Sequence, residues 1–287
     1  MPLTSENVRA TKILATVGSA CESAGGLAAL LDAGVNVFRL NFSHGTQKEH
    51  GERIKTIRAL EADRQNPCCI LADLQGPKHR VGEVAAGTTV EAGDTVTFDQ
   101  QEEVGSKTRL RLPHPEIFAA IIPGARLLMD DGKLVFRVTT IRDDSFDAEV
   151  IAGGPVKSRK GVNLPDMVID SPPLTDKDHD DLAFALDHGV DWVALSFVQR
   201  ASDILDVKAK IGGRAALMAK IEKPAALRST STGTTFTASS PSRIASRVAS
   251  GVAPLGSAAA AVTTFGGCSK RRRRRVSGTE PSYVVRT

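Results

Sequence analysis

Six polar residues sit where short apolar runs end. Arg39 and Asn41 close VNVFRLN, and Ser43 follows in the next turn. Asp73 closes CCILAD, and Lys220 and Glu222 close AALMAKIE. In a barrel of parallel strands and helices the strand C-termini converge on one face, where active sites sit. These residues would supply guanidinium, amide, hydroxyl, carboxylate and ammonium groups to that face. The mixture suits an anionic, phosphorylated ligand, with hard cations held through oxygen. Each residue also has a plainer reading. An Arg beside a strand end is ordinarily a surface ion pair, and Lys220 and Glu222 alternate onto one strand face as a structural ion pair would. Asp73, at the end of an apolar strand, is costly without a cation or an Arg beside it.

The elements needed to position them are legible as an alternation of strand and helix. Residues 12–17 (KILATV), 35–40 (VNVFRL) and 68–73 (CCILAD) read as strands. Residues 21–33, stopped by Gly34, and 47–64 read as the helices between them. Near-continuous apolar strands separated by helices predict a parallel sheet buried on both faces. The rhythm changes near Pro77. From Val81 to about Ile169 the sequence predicts no helix, only short Val- and Thr-rich runs broken by Gly, Asp and Pro. Asp131-Gly132 between LLM and KLVFRV is a hairpin signal. This stretch reads as a small β domain inserted in the α/β frame. The rhythm returns at Ser171, with a helix opened by Thr175 and Asp178 and closed at Gly189. A strand at 192–197, a helix at 203–211 and a strand at 215–221 follow.

The chain of 287 residues is 41% hydrophobic, enough to build a core, and its net charge of +4 hides a split. Residues 228–287 hold ten basic residues against one acidic, while residues 1–227 hold 27 against 32. The last segment has no sustained period and is rich in Ser and Thr. It carries one cationic block, Lys270 to Arg275, and is expected to be a low-complexity disordered tail. No apolar run is long enough to span a bilayer, and the N-terminus lacks the pattern of a signal peptide. Cys21, Cys68, Cys69 and Cys268 have neither disulfide-framework nor zinc-site spacing, and Cys68 and Cys69 read as buried apolar filler. A cytoplasmic setting without membrane contact is expected.

ATKILATVGSACES, VFRLNFSHG, LADLQGPKHRVGE, MDDGKLVFRV, KGVNLPD, DWVALSFVQRASDI and LMAKIEKPAAL together resemble the pyruvate kinases, in family order and spacing. The resemblance covers residues 1–227. It implies an α/β TIM-type barrel, incomplete here, interrupted after its third strand by a small β-barrel lid domain. The divisions are then 1–77, 78–170 for the lid, 171–227, and the tail at 228–287. The implied reaction is phosphoryl transfer from phosphoenolpyruvate to ADP, giving pyruvate and ATP in glycolysis, with Mg2+ (or Mn2+) and K+. By motif, Arg39 holds the phosphate of phosphoenolpyruvate and Lys220 stabilises charge on the moving phosphoryl group. Asn41, Ser43, Asp73 and the carbonyl of Leu74 form the potassium site. Glu222 ligates magnesium, and His44 and Arg80 lie on the nucleotide side. Leu74-Gln75 stands where many members have Thr-Lys, so part of the potassium site rests on backbone alone.

The departures are equally specific. Family members continue past the Lys-x-Glu strand into Ala-Arg-Gly-Asp-Leu-Gly, whose Asp is the second metal ligand, and later carry Thr-Gln-Met. Neither segment occurs in this sequence, and Asp206 is its last aspartate. The resemblance stops between Leu227 and Arg228, which suggests a frameshifted tail. Strands six to eight and the C domain that builds the family homotetramer are then missing. Five strands cannot close an eight-stranded barrel, and the edges of the first and fifth would be open to aggregation. On these grounds the chain is expected to be inactive as it stands. An alternative is a non-catalytic fragment whose Arg-rich tail binds polyanions through counterion release. Selected nucleic-acid binding is not expected, because no aromatic residues interleave the basic block. A phosphoenolpyruvate-binding lyase is disfavoured by KGVNLPD.

Overall fold

The computed structural model describes residues 11–64, 67–223 and 226, and the backbone of 283–286. The first part holds β1 (Leu14–Thr16), α1 (Ala24–Asp32), β2 (Val37–Asn41), α2 (Gln47–Arg64) and β3 (Cys69–Asp73). The insert holds β4 (Thr89–Val90), β5 (Thr95–Asp99), β6 (Arg109–Arg111), α3 (Pro115–Ala120) and β7 (Arg126–Met129). It continues with β8 (Leu134–Ile141), β9 (Ser145–Ala152), β10 (Gly154–Pro155) and β11 (Val162–Asn163). The α/β order resumes with α4 (Asp176–Asp187), β12 (Trp192–Leu195), α5 (Ala201–Ile211) and β13 (Ala216–Ile221). A last strand, β14, spans Tyr283–Arg286.

Local chemistry sets the helix starts. Ser23 accepts a hydrogen bond from the Gly26 N–H and opens α1. Thr175 and Asp178 close a reciprocal capping box at the head of α4, as the sequence predicts.

The main sheet is parallel throughout, in the order β1-β2-β3-β12-β13-β14. Strand side chains alternate between faces, and here the alternation separates core from site. Phe38, Leu40, Ile70, Ala72, Val193, Leu195, Leu217 and Ala219 join the large cluster with Leu27, Leu31, Ile54, Ile57 and Leu182 of the helices. The opposite parity gives a smaller cluster of Val37, Cys69, Leu71, Ala194 and Met218, with Leu14 and Trp192 packed against it. Continued toward the C-terminal ends, that same parity falls on Arg39, Asn41, Asp73, Ser196, Lys220 and Glu222. The inner face is therefore apolar at its base and polar at its rim.

The insert has its own core, including Val96, Phe98, Leu127, Phe136, Phe146, Val150 and Leu164. Phe98 stacks on Phe146 at 5.1 Å and meets Phe136 edge-on at 5.3 Å. Its main sheet runs β11-β7-β8-β9-β5-β6, with β10-β4 as a separate pair. Among the described residues this ladder does not close into a ring. Asp130, Asp131 and Gly132 adopt positive φ between β7 and β8, which makes the expected hairpin. The expectation of no helix between Val81 and Ile169 is corrected by α3. Pro115 in its first turn presets φ for so short a helix, and Ile117 fastens it to the insert core.

Two expectations about the end of the chain change at β14. The sheet has a sixth strand, so the β13 edge is covered, and residues 283–286 are not structureless. The β-branched pair Val284-Val285 suits a strand, and an open parallel edge is a template for one. The rest of the tail, including Lys270 to Arg275, lies outside the described residues. Cys68 and Cys69 are buried as expected, but Cys69 is disulfide-bonded, against the expectation from cysteine spacing. No helix among the described residues is long and apolar enough to cross a membrane.

Candidate active site

Asp73 is the hub of the polar rim. Its side chain is 4% exposed and takes two contacts from one guanidinium. Arg39 Nε donates to Oδ2 at 2.6 Å, and Nη2 lies 2.5 Å from the same oxygen. The third Arg39 nitrogen donates to Thr16 Oγ1 at 2.9 Å. Lys220 Nζ lies 3.3 Å from Asp73 Oδ1 and 3.3 Å from Glu222 Oε1, and it donates to Ser196 Oγ at 2.9 Å. Arg39, Asp73, Lys220 and Glu222, on three separate strands or their ends, thus form one connected cluster. The register explains it: Asn41 pairs with Asp73 across β2 and β3, and Ala194 pairs with Asp73 across β12.

Backbone and loops hold the rim in place. Ser196 Oγ donates to the Leu74 carbonyl at 2.7 Å, and the Phe197 N–H donates to Glu222 Oε2 at 3.0 Å. Phe197 makes that contact from a left-handed conformation, φ 55°, a strained setting for a bulky residue. Gly76 also has positive φ, and a Cβ there would lie 3.0 Å from the Ser196 Cβ. Its N–H donates to Asp178 Oδ1 at 3.0 Å. The residue that caps α4 therefore also fixes the loop after β3. On the other side, Asn41 Oδ1 accepts from the Ser43 N–H at 3.1 Å. Lys177 Nζ donates to the Phe42 carbonyl at 2.8 Å. His50, stacked on Phe42 at 4.2 Å, bonds the His44 carbonyl through Nε2. Burial pushes the His50 imidazole below its usual range, so the ring is neutral and donates that bond.

One buried oxygen of the rim lacks a hydrogen bond. Asp73 Oδ1 makes no hydrogen bond, because Lys220 is near it without being aligned. A buried carboxylate oxygen left in this way is a donor for a hard cation. Asn41 and Leu74 lie beside Asp73 in the register or the chain and offer amide and carbonyl oxygens. The Leu74 carbonyl keeps a second lone pair after accepting from Ser196. The donor set therefore fits a cation bound through oxygen.

His44 and Arg80 stand apart. His44 is exposed, and Arg80 Nη1 donates to the Arg159 carbonyl in the insert at 2.9 Å. Among the described residues no hydrogen bond or ion pair joins either to the Asp73 cluster. Thr16, Ser196 and the Phe197 N–H were not anticipated. Ser196 was within reach of sequence, since it continues the parity of Trp192 and Ala194 to the strand end. Lys223 is another addition. It is buried, donates to Gln199 at 3.1 Å, and desolvation lowers its ammonium to about 8.

Residues 8–232 match the family model for the pyruvate kinase barrel domain. The chain belongs to the pyruvate kinase family. Among its relatives is a pyruvate kinase of Agrobacterium vitis, 48% identical over 223 residues, which are 77% of this chain and 46% of that protein. A pyruvate kinase of Methylorubrum extorquens is 44% identical over 220 residues, 76% of this chain and 46% of that protein. One from Corynebacterium efficiens is 42% identical over 223 residues, 76% and 47%. The chain thus spans less than half the length of these pyruvate kinases. The matched region ends close to where the sequence motifs end, and it contains every member of the Asp73 cluster.

Proposed function

We propose that the Asp73 cluster is the phosphoenolpyruvate half of a pyruvate kinase active site, and that the insert acts as its lid. The observation that carries this reading is the convergence of Arg39 and Lys220 on one rim. Two cations separated by a buried carboxylate can hold a phosphate and neutralise charge as the phosphoryl group moves. Phosphoryl transfer depends on such positioning and charge neutralisation more than on covalent chemistry.

In this reading Arg39 turns from Asp73 toward the substrate phosphate, and Lys220 faces the group in transit. Asn41, Ser43, Asp73 and the Leu74 carbonyl would hold potassium, and Glu222 would hold magnesium. When bound, these cations supply charge neutralisation for the phosphate and enolate oxygens. Glu222 is restrained by the Phe197 N–H, which orients its carboxylate before any ligand arrives. His44 and Arg80 would face the nucleotide, with Arg80 brought in by movement of the insert that anchors it. A second metal carboxylate is not supplied after Glu222, since residues 223–287 contain no aspartate and one glutamate, Glu280.

The reading is tested in a chimera. Residues 1–223 of this chain are followed by the corresponding remainder of the Agrobacterium vitis relative. Titration calorimetry with magnesium and potassium present is expected to show saturable phosphoenolpyruvate binding. Arg39→Gln is expected to weaken it by about tenfold or more, the scale of one charge-assisted hydrogen bond. A folded chimera that binds no phosphoenolpyruvate would remove the reading.

A further inference from the structure

We propose that His79, His114 and Glu116 form a second metal site, selective for a zinc-class divalent transition ion, with one coordination position left for water. It shares no residue with the Asp73 cluster. His79 lies in the connector after β3, His114 caps the N-terminus of α3, and Glu116 sits in the first turn of that helix.

The ligand atoms of the three residues all lie within 4.8 Å of one another. His79 Nε2 is 3.1 Å from Glu116 Oε1, and His114 Nδ1 is 3.5 Å from the same oxygen. Ligands of a tetrahedral zinc ion, at bonds of about 2.0–2.1 Å, stand roughly 3.3 Å apart. The three groups are therefore already near the edges of such a polyhedron. The two imidazoles are nearly perpendicular, at 84°, with centroids 4.8 Å apart.

A second, independent observation points to a ligand. His79 is 8% exposed, and its Nε2, 3.1 Å from Glu116 Oε1, has no partner in hydrogen-bond geometry. A buried nitrogen aimed into an acidic and imidazole niche without a bond is a vacant donor. Burial, with His114 as the next cause, lowers the His79 imidazole to about 4, so it stays in the neutral form a metal needs.

His114 reaches the same state by a change of tautomer. Its Nε2 accepts from the Arg80 N–H at 2.9 Å and lies 3.1 Å from the Arg80 carbonyl. A metal at Nδ1 selects the other tautomer, in which Nε2 donates to that carbonyl. A metal-bound histidine characteristically donates its other N–H to such a partner. Two imidazoles and one carboxylate favour a borderline ion over magnesium or potassium, which prefer all-oxygen shells. A bound ion would fasten the opening segment of the insert, just after β3, to the start of α3.

The test uses the full 287-residue chain, freed of metal. Cobalt(II) is expected to give the visible absorption bands of a low-coordinate nitrogen and oxygen site. Zinc should displace it at a single equivalent, and excess magnesium should not. His79→Leu and Glu116→Gln should each abolish the bands while circular dichroism stays unchanged. If His79→Leu does not fold, Glu116→Gln decides, because it is isosteric at a partly exposed position. The proposal is overturned if the unmodified chain gives no bands, if both folded variants keep them, or if near-ultraviolet thiolate charge transfer shows that cysteines hold the cobalt.

Discussion

Lys220→Gln in the chimera is expected to lower kcat about a thousandfold, roughly 4 kcal/mol of lost transition-state stabilisation. Lys220 Nζ contacts Asp73, Glu222 and Ser196 at 2.9–3.3 Å, so it is held by three groups before substrate arrives. Such a cation costs little reorganisation when charge develops beside it. Gln is one atom shorter, keeps hydrogen-bonding capacity and removes the charge. The KM for phosphoenolpyruvate should move much less than kcat, because Arg39 retains its hold on the phosphate. Steady-state kinetics separates the two. A kcat within about threefold of the unmutated chimera would assign Lys220 a structural role only.

Asp73→Ala is expected to destabilise the chain by about 3–5 kcal/mol in urea unfolding. The carboxylate is 4% exposed and neutralises Arg39 directly, with Lys220 close by. Its removal leaves two cations on a rim above the apolar base formed by Leu71, Ala194 and Met218. Arg39→Gln combined with Asp73→Asn should cost less than the sum of the single changes, because the second removes a charge the first has already stranded. Additive losses, or an Asp73→Ala loss within about 1 kcal/mol, would mean that the pair does not hold the rim together.

Much of this site was legible in the sequence because period-2 alternation carries it. VFRLN and CILAD show which residues face the helices, and the remaining parity gives Arg39, Asn41 and Asp73. Lys220 and Glu222 follow from the same rule on β13. The helix start at Thr175 was marked by side chains that bond their own backbone. Other features depend on contacts between distant segments. Ser196 matters because β12 lies between β3 and β13, an order that sequence alone does not state. His79 and His114 are 35 positions apart and meet only because the connector lies against α3. Cysteine spacing gave no hint of a metal site there, since no cysteine takes part. The tail composition gave no signal for β14 either, because YVVR is too short to stand out from a disordered segment.

The most direct measurement is coupled turnover of phosphoenolpyruvate and ADP by the unmutated chimera. The account predicts pyruvate formation that requires both magnesium and potassium, and none above background from the 287-residue chain alone. A folded chimera that forms no pyruvate, or a 287-residue chain that forms it unaided, would contradict the account.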